Sequence, residues 1–137
     1  MYAVTQSFFR STDGGENWNN ITDKTGVADY GFALAIDHEN ENRAWVIPAV
    51  SDEVRVAHDL ALTVCSTEDA GQSWNALRNG LPQEHCFEIV FRHSLAISKN
   101  ELVFGTTTGN IYYSENYGQD WICLSPNLAR VEGVVFV

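Results

Sequence analysis

Four carboxylates and two imidazoles crowd two short polar stretches, Asp52, Glu53 and Asp59 with His58 in one and Glu84 with His85 in the other. Two carboxyl groups flanking a sugar linkage are the working parts of a glycosidase, one serving as general acid and the other as base or nucleophile. Asp52, Glu53 and Asp59 beside Glu84 would supply such a pair if the fold brought the stretches together. A solvated acidic loop is the simpler account of the same residues and weighs more. His58 and His85 have the chemistry of a general base or of metal ligands, but neither sits in an HxH or HxxxH spacing, so a surface or packing role is expected and no metal or cofactor. Tyr30 and Arg55 complete the candidate ligand-contacting set. No residue is assigned a catalytic role.

The overall charge narrows the partners. At a formal −10 and pI near 4.6, with eight Lys and Arg in 137 residues, the chain lacks the basic footprint that nucleic acid or an anionic membrane requires. No run of about 18 apolar residues marks a membrane span, and Met1-Tyr2-Ala3-Val4-Thr5 lacks a basic n-region, so a cytoplasmic protein is expected. Cys65, Cys86 and Cys123 are odd in number and widely spaced, each in or beside an apolar stretch, and read as small core hydrophobes rather than a disulfide or zinc set.

The elements that must carry these residues are strands. Short apolar runs recur at 2–5, 7–11, 32–37, 44–50, 62–66, 86–98, 102–106 and 111–114, and no segment shows a 3.6-residue period. One stretch punctuates them three times: Ser11 to Trp18, Thr67 to Trp74 and Ser114 to Trp121, each between two strands. The tryptophans stand 56 and 47 residues apart, the length of a four-stranded propeller blade, with the charged stretch 51–59 lengthening the first interval.

These stretches resemble the Asp-box, or BNR repeat, of sialidase-like and glycosyl-hydrolase-like β-propellers, whose pattern is S-x-D-x-G-x-x-W. The matching residues are Ser11, Asp13, Gly15 and Trp18; Thr67, Asp69, Gly71 and Trp74; and Ser114, Asn116, Gly118 and Trp121. The resemblance extends to Asp52-Glu53-Val54-Arg55-Val56, to Gly80-Leu81-Pro82-Gln83-Glu84-His85 and to Val103-Phe104-Gly105-Thr106, and covers only the last blades of such proteins. It implies an all-β partial propeller. In the motif the glycine permits positive φ, the hydroxyl and carboxylate bond turn N–H groups, and the Trp wedges between sheets, which makes it a folding device rather than a site. Sialidases also use three arginines and a Tyr–Glu pair, whereas Arg10, Arg43, Arg55, Arg78, Arg92 and Arg130 show no recognisable triad spacing.

Strand counting yields one domain, 1–137, with blade one from 1–22 plus a closing strand 131–137, blade two from 32–78 and blade three from 86–124. Three blades do not close a ring, since propellers have about four to eight. A two-fold homodimer making six blades is therefore expected, with each C-terminal strand completing the partner's first blade. Antiparallel alternation puts loops 23–31, 51–59 and 79–85 on the face away from the motifs, the expected ligand face. The favoured function is a noncatalytic binding or assembly module for a carbohydrate or protein ligand. The alternatives are a glycoside hydrolase and a structural remnant of a longer propeller.

Overall fold

Each motif turn joins two antiparallel strands, and around these turns the chain builds three successive sheets. The computed structural model describes residues 1–5, 7–24 and 26–137. Gln6, in the link between the first two expected strands, and Thr25, in the 23–31 connection, lie outside the described residues. The first sheet holds β1 (Tyr2–Val4), β2 (Phe8–Arg10) and β3 (Asn19–Asn20). The middle sheet holds β4 (Gly31–Ile36), β5 (Ala44–Pro48), β6 (Val64–Thr67) and β7 (Asn75–Leu77), and the third holds β8 (Leu95–Ser98), β9 (Glu101–Gly105), β10 (Ile111–Ser114) and β11 (Ile122–Ser125). Every described pairing is antiparallel. No helix among the described residues is long and apolar enough to cross a membrane.

The three turns are built alike. Ser11 Oγ donates to Asp13 Oδ1 at 2.8 Å and accepts from the Gly15 N–H at 2.9 Å, while Asp13 Oδ1 accepts from the Asn17 N–H at 2.9 Å. Thr67, Asp69, Gly71 and Ser73 repeat this in the second turn. In the third, Ser114 Oγ donates to Asn116 Oδ1 and accepts from the Gly118 N–H, and Asn116 Oδ1 accepts from the Asp120 N–H at 3.0 Å. The side-chain bond is reversed there: Asn17 Nδ2 donates to Asp13, whereas Asn116 Nδ2 donates to Asp120. The turn keeps one amide and one carboxylate with their order exchanged.

These bonds have a pH consequence. The Asn17 backbone N–H, its side-chain amide and the Ser11 hydroxyl hold the Asp13 carboxyl well below the usual carboxylate range, and the Ser73 hydroxyl and N–H lower Asp69. A depressed folded-state value means stability that is complete above the unfolded carboxylate pKa of about 3.9 and lost as pH falls through the lower folded value. Asn116 makes the corresponding bonds without titrating. The double variant Asp13→Asn with Asp69→Asn is therefore expected to show a shallower loss of urea midpoint between pH 5 and pH 3 than the parent. An unchanged slope would refute the assignment.

The core lies between sheets. Along β5, Trp45 and Ile47 enter the cluster shared with the third sheet, with Val64, Leu77, Leu102, Phe104 and Trp121, while Val46 points the other way to join Phe8 and Cys65 against the first sheet. This is period-two alternation in a strand buried on both faces. β4 behaves likewise, with Ala33 and Ala35 on one side and Leu34 on the other.

The structure departs from the sequence reading at several places. Of 86–98, only Leu95–Ser98 is strand; Ile89 and Val90 are buried in an extended connector held by paired bonds between Ile89 and Thr107. Cys65 and Cys86 are buried, their thiols pushed up by burial to about 12 and about 11, but Cys123 lies exposed on the outer strand β11. Trp121 is buried and Trp74 partly so, yet Trp18 is 40% exposed. Residues 131–137 form no strand within the chain. Val131 and Val134 donate backbone bonds to the Thr106 and His93 carbonyls, beside the third sheet.

Candidate functional site

Antiparallel alternation sends the connections 49–63, 78–94 and 126–137 to the end of the sheets opposite the motif turns. There the structure sorts the candidate residues into two groups. Asp52 and Arg55 line a cavity of about 540 Å³ together with Phe32, Phe91, Arg92, His93, Arg130 and Glu132. Glu84 and His85 line a second cavity, of about 250 Å³, with Cys86, Phe87, Glu88 and Thr108. Glu53, His58 and Asp59 line neither. The acidic loop and Glu84 thus line no common cavity of these two, and the carboxylate pair that their meeting would have supplied is not assembled there.

The larger cavity owes its shape to three segments. In the middle sheet, the β5–β6 connection leaves at Ala49, which bridges Ala57, and the intervening loop swings Asp52 and Arg55 outward. Ser51 fixes that loop, its Oγ accepting from the Val54 N–H at 2.9 Å. Phe91 to His93 come from the connector ahead of β8, and the chain after β11 is tied alongside by the Val131 and Val134 bonds. Val131 further accepts from the Ser94 hydroxyl at 3.2 Å, which fixes Arg130 and Glu132 at the rim.

Charge in this cavity runs against the rest of the chain. Three guanidiniums meet two carboxylates, and each carboxylate is taken: Asp52 Oδ1 lies 2.7 Å from Arg55 Nη2, and Glu132 pairs with Arg130. Arg55 lies over the Phe32 ring at 5.8 Å and Arg130 over Phe91 at 5.5 Å, so aromatic faces help hold both. Arg92 forms no ion pair among the described residues. Beneath the loop, Tyr30 packs edge-on to Phe32 at 5.4 Å; its hydroxyl is buried without a hydrogen-bond partner among the described residues, and burial followed by the Asp52 charge raises its pKa.

The smaller cavity has a different floor. Glu88 is buried, and its Oε2 accepts from the Thr108 hydroxyl and from Asn110 Nδ2 at 2.9 Å, while the Cys86 thiol lies 3.7 Å from Oε1. These bonds pin the β9–β10 turn, and the carboxylate is spent on them. Glu84 and His85 stand exposed at the mouth. His58 Nδ1 lies 3.1 Å from Asp59 Oδ2 without hydrogen-bond geometry, on the 3₁₀ turn His58–Leu60.

Sequence reasoning missed Phe32, Phe91, Arg92, His93 and Glu132, because each was absorbed into an expected strand, 32–37, 86–98 or 131–137. The signal available was Phe91-Arg92-His93 itself, where two basic side chains interrupt an otherwise apolar run.

No protein-family model and no curated protein matches the chain. Solved structures do. YCF48 bound to D1 peptide is similar over 86% of this chain and 34% of its own, at 20% identity and a TM-score of 0.52. The GH74 enzyme of Niastella koreensis is similar over 90% and 19%, at 16% identity and 0.62. The GH74 xyloglucanase from Xanthomonas campestris is similar over 88% and 18%, at 18% identity and 0.63. The chain thus spans about a third or less of each of these proteins. With three antiparallel sheets in succession, its fold is that of a partial β-propeller.

Proposed function

We propose that the chain is a noncatalytic binding module of the Asp-box propeller type, and that its ligand is a peptide presenting a carboxylate to the cavity formed by Phe32, Arg55, Phe91, Arg92 and Arg130. The observation that carries this reading is the convergence of three arginines and two phenylalanines on one cavity of a chain whose formal charge is −10. Guanidinium groups match carboxylates in a two-pronged geometry, and the apolar ring faces favour the stem of a side chain beside the anion. Arg92, with no ion pair of its own among the described residues, supplies the first contact. A peptide is also what one structural neighbour, YCF48, is solved with.

Hydrolysis fits less well. A glycosidase needs one carboxyl free to give a proton and another free to attack or to activate water. In the larger cavity both carboxylates are bound to arginines, and in the smaller one Glu88 is engaged by Thr108 and Asn110, which leaves Glu84 at the mouth without a second free carboxyl beside it.

Fluorescence anisotropy with labelled pools of ten-residue peptides, random except that Asp and Glu are left out, tests the assignment, one pool with free C-terminal carboxylates and one amidated. The free-acid pool is expected to bind more tightly, and Arg92→Ala to weaken it roughly tenfold to a hundredfold, the value of one charge-assisted hydrogen bond. Equal binding of both pools, or an unaffected Arg92→Ala variant, would remove the cavity from consideration. No binding by either pool would favour a structural remnant.

A further inference from the structure

Neighbouring sheets are joined by one repeated contact. The residue three places after the first and second motif Trp, at the end of or just past the outer strand of one sheet, seats on the motif Gly of the next. Ile21, three after Trp18, lies so close to Gly71 that an added Cβ there would come within 2.6 Å of it, and its carbonyl accepts from Trp74 Nε1 at 2.9 Å. Leu77, three after Trp74, packs on Gly118 likewise, 3.1 Å from where an added Cβ would stand and beside the buried Trp121 ring, though Trp121 Nε1 has no hydrogen-bond partner among the described residues. Two contacts of this kind join the three sheets.

Among the described residues the series leaves one seat and one peg over. Gly15 and Trp18 form the same seat on the first sheet. No outer strand occupies it among the described residues; the nearest atoms are the Met1 thioether and the Trp18 ring, and Trp18 Nε1 turns back to its own Gly15 carbonyl at 3.0 Å. Trp18 is 40% exposed where Trp121 is 3% exposed. The matching peg is Leu124, three after Trp121, and it stands 56% exposed on β11 beside Ile122 at 57%.

The inner side tells the same story. Among the described residues the middle and third sheets have four strands and the first has three, so β1 is an open edge there where β5 and β9 are covered by β4 and β8. Met1 and Ser11 exchange both backbone bonds, so the ladder alternation turns the Tyr2 and Val4 peptide groups toward that open edge. From Ile21 to Gly31, where the middle sheet's inner strand begins, is ten residues; from Leu124 to Val134 is also ten. Val134-Val135-Phe136-Val137 thus stands at the sequence offset of Gly31-Phe32-Ala33-Leu34, with three β-branched valines of which Val135 is 77% exposed.

We infer that two copies of this chain join in a ring of six sheets, Leu124 of each copy seating on Gly15 and Trp18 of the other while Val134–Val137 adds as inner strand to the other's β1. The contact extends outward a packing the chain already makes twice internally, and it covers both the open edge and the exposed apolar strand. A two-fold axis places the contact twice in each assembly and closes it.

Sedimentation velocity on the 137-residue chain tests this. The expected species has twice the 15.3 kDa chain mass at micromolar concentration. Leu124→Asp is expected to give monomers whose far-ultraviolet circular dichroism matches the parent, because Leu124 is exposed within the single chain. Removal of residues 134–137 is expected to weaken the dimer at least tenfold. A parent that stays monomeric at 100 μM, that forms trimers, or whose Leu124→Asp variant still dimerises would overturn the inference. An unchanged dimer without residues 134–137 would overturn the strand addition.

Discussion

Replacing Trp45 with alanine is expected to destabilise the fold by about 3–5 kcal/mol, the range for deleting a large buried aromatic side chain. Trp45 is 1% exposed and sits on β5, where the middle and third sheets meet. Its ring stacks with Tyr117 at 6.2 Å and an interplanar angle of 5°, and its Nε1–H donates to the Tyr117 carbonyl at 3.0 Å. Arg43 closes the assembly from outside, 4.5 Å from the Tyr117 ring and 3.3 Å from Asp37. The substitution therefore removes the wedge between two sheets, one ring stack, and the hydrogen bond that fixes the third motif turn. Domains of this size have roughly 5–15 kcal/mol to lose, so most of the molecules should unfold at modest urea concentration. Trp45→Phe, which keeps the ring packing but not the N–H, should cost only about 1 kcal/mol beyond the lost volume. Equilibrium urea denaturation of the three proteins measures both values, and equal losses in the two variants would show that packing contributes little.

Gly80→Ala is expected to cost about 2–4 kcal/mol, although it adds a single methyl group. Gly80 follows β7 with φ +85°, a conformation that penalises any side chain. The added Cβ would also sit 1.9 Å from the Trp121 carbonyl oxygen, a backbone atom that cannot rotate away. Relief requires the connector to move off the start of β11. That motion would break the bond from the Trp121 N–H to the Asn79 carbonyl at 2.9 Å and lift Leu81 out of the core. A midpoint within experimental error of the parent would mean that the connector is free to shift, contrary to the packing described here.

The turns and the sheets were legible in the sequence because both are local. A hydroxyl, a carboxylate and a glycine at fixed offsets define a turn within eight residues, and alternating or continuous apolar runs define its flanking strands. The order of sheets followed from the spacing of Trp18, Trp74 and Trp121. The cavity was not legible in that way. Arg55, Arg92 and Arg130 are separated by dozens of residues, and they meet only because the β5–β6 loop, the connector before β8 and the chain after β11 all leave at the same end of the sheets. Asp52 and Arg55 were found by their place in a charged loop; the remainder depended on tertiary packing. Cys123 and Trp18 misled for the converse reason. Local apolar context signals burial, but each lies exposed on a side that no further sheet among the described residues covers.

The reversed amide–carboxylate order in the third turn does more than preserve a loop. With the carboxylate moved to position 120, one of its oxygens takes the Asn116 amide and the other is left to accept from Asn79 Nδ2, forty-one residues away in the connector that leaves the middle sheet. The first turn, with its carboxylate at position 13, directs both oxygens back into itself. An exchange that is silent for local geometry thereby recruits the turn into the architecture: the same four-residue pairing that closes a hairpin also latches one blade to the next, and the local stability of that hairpin becomes coupled to whether the neighbouring blade is in place.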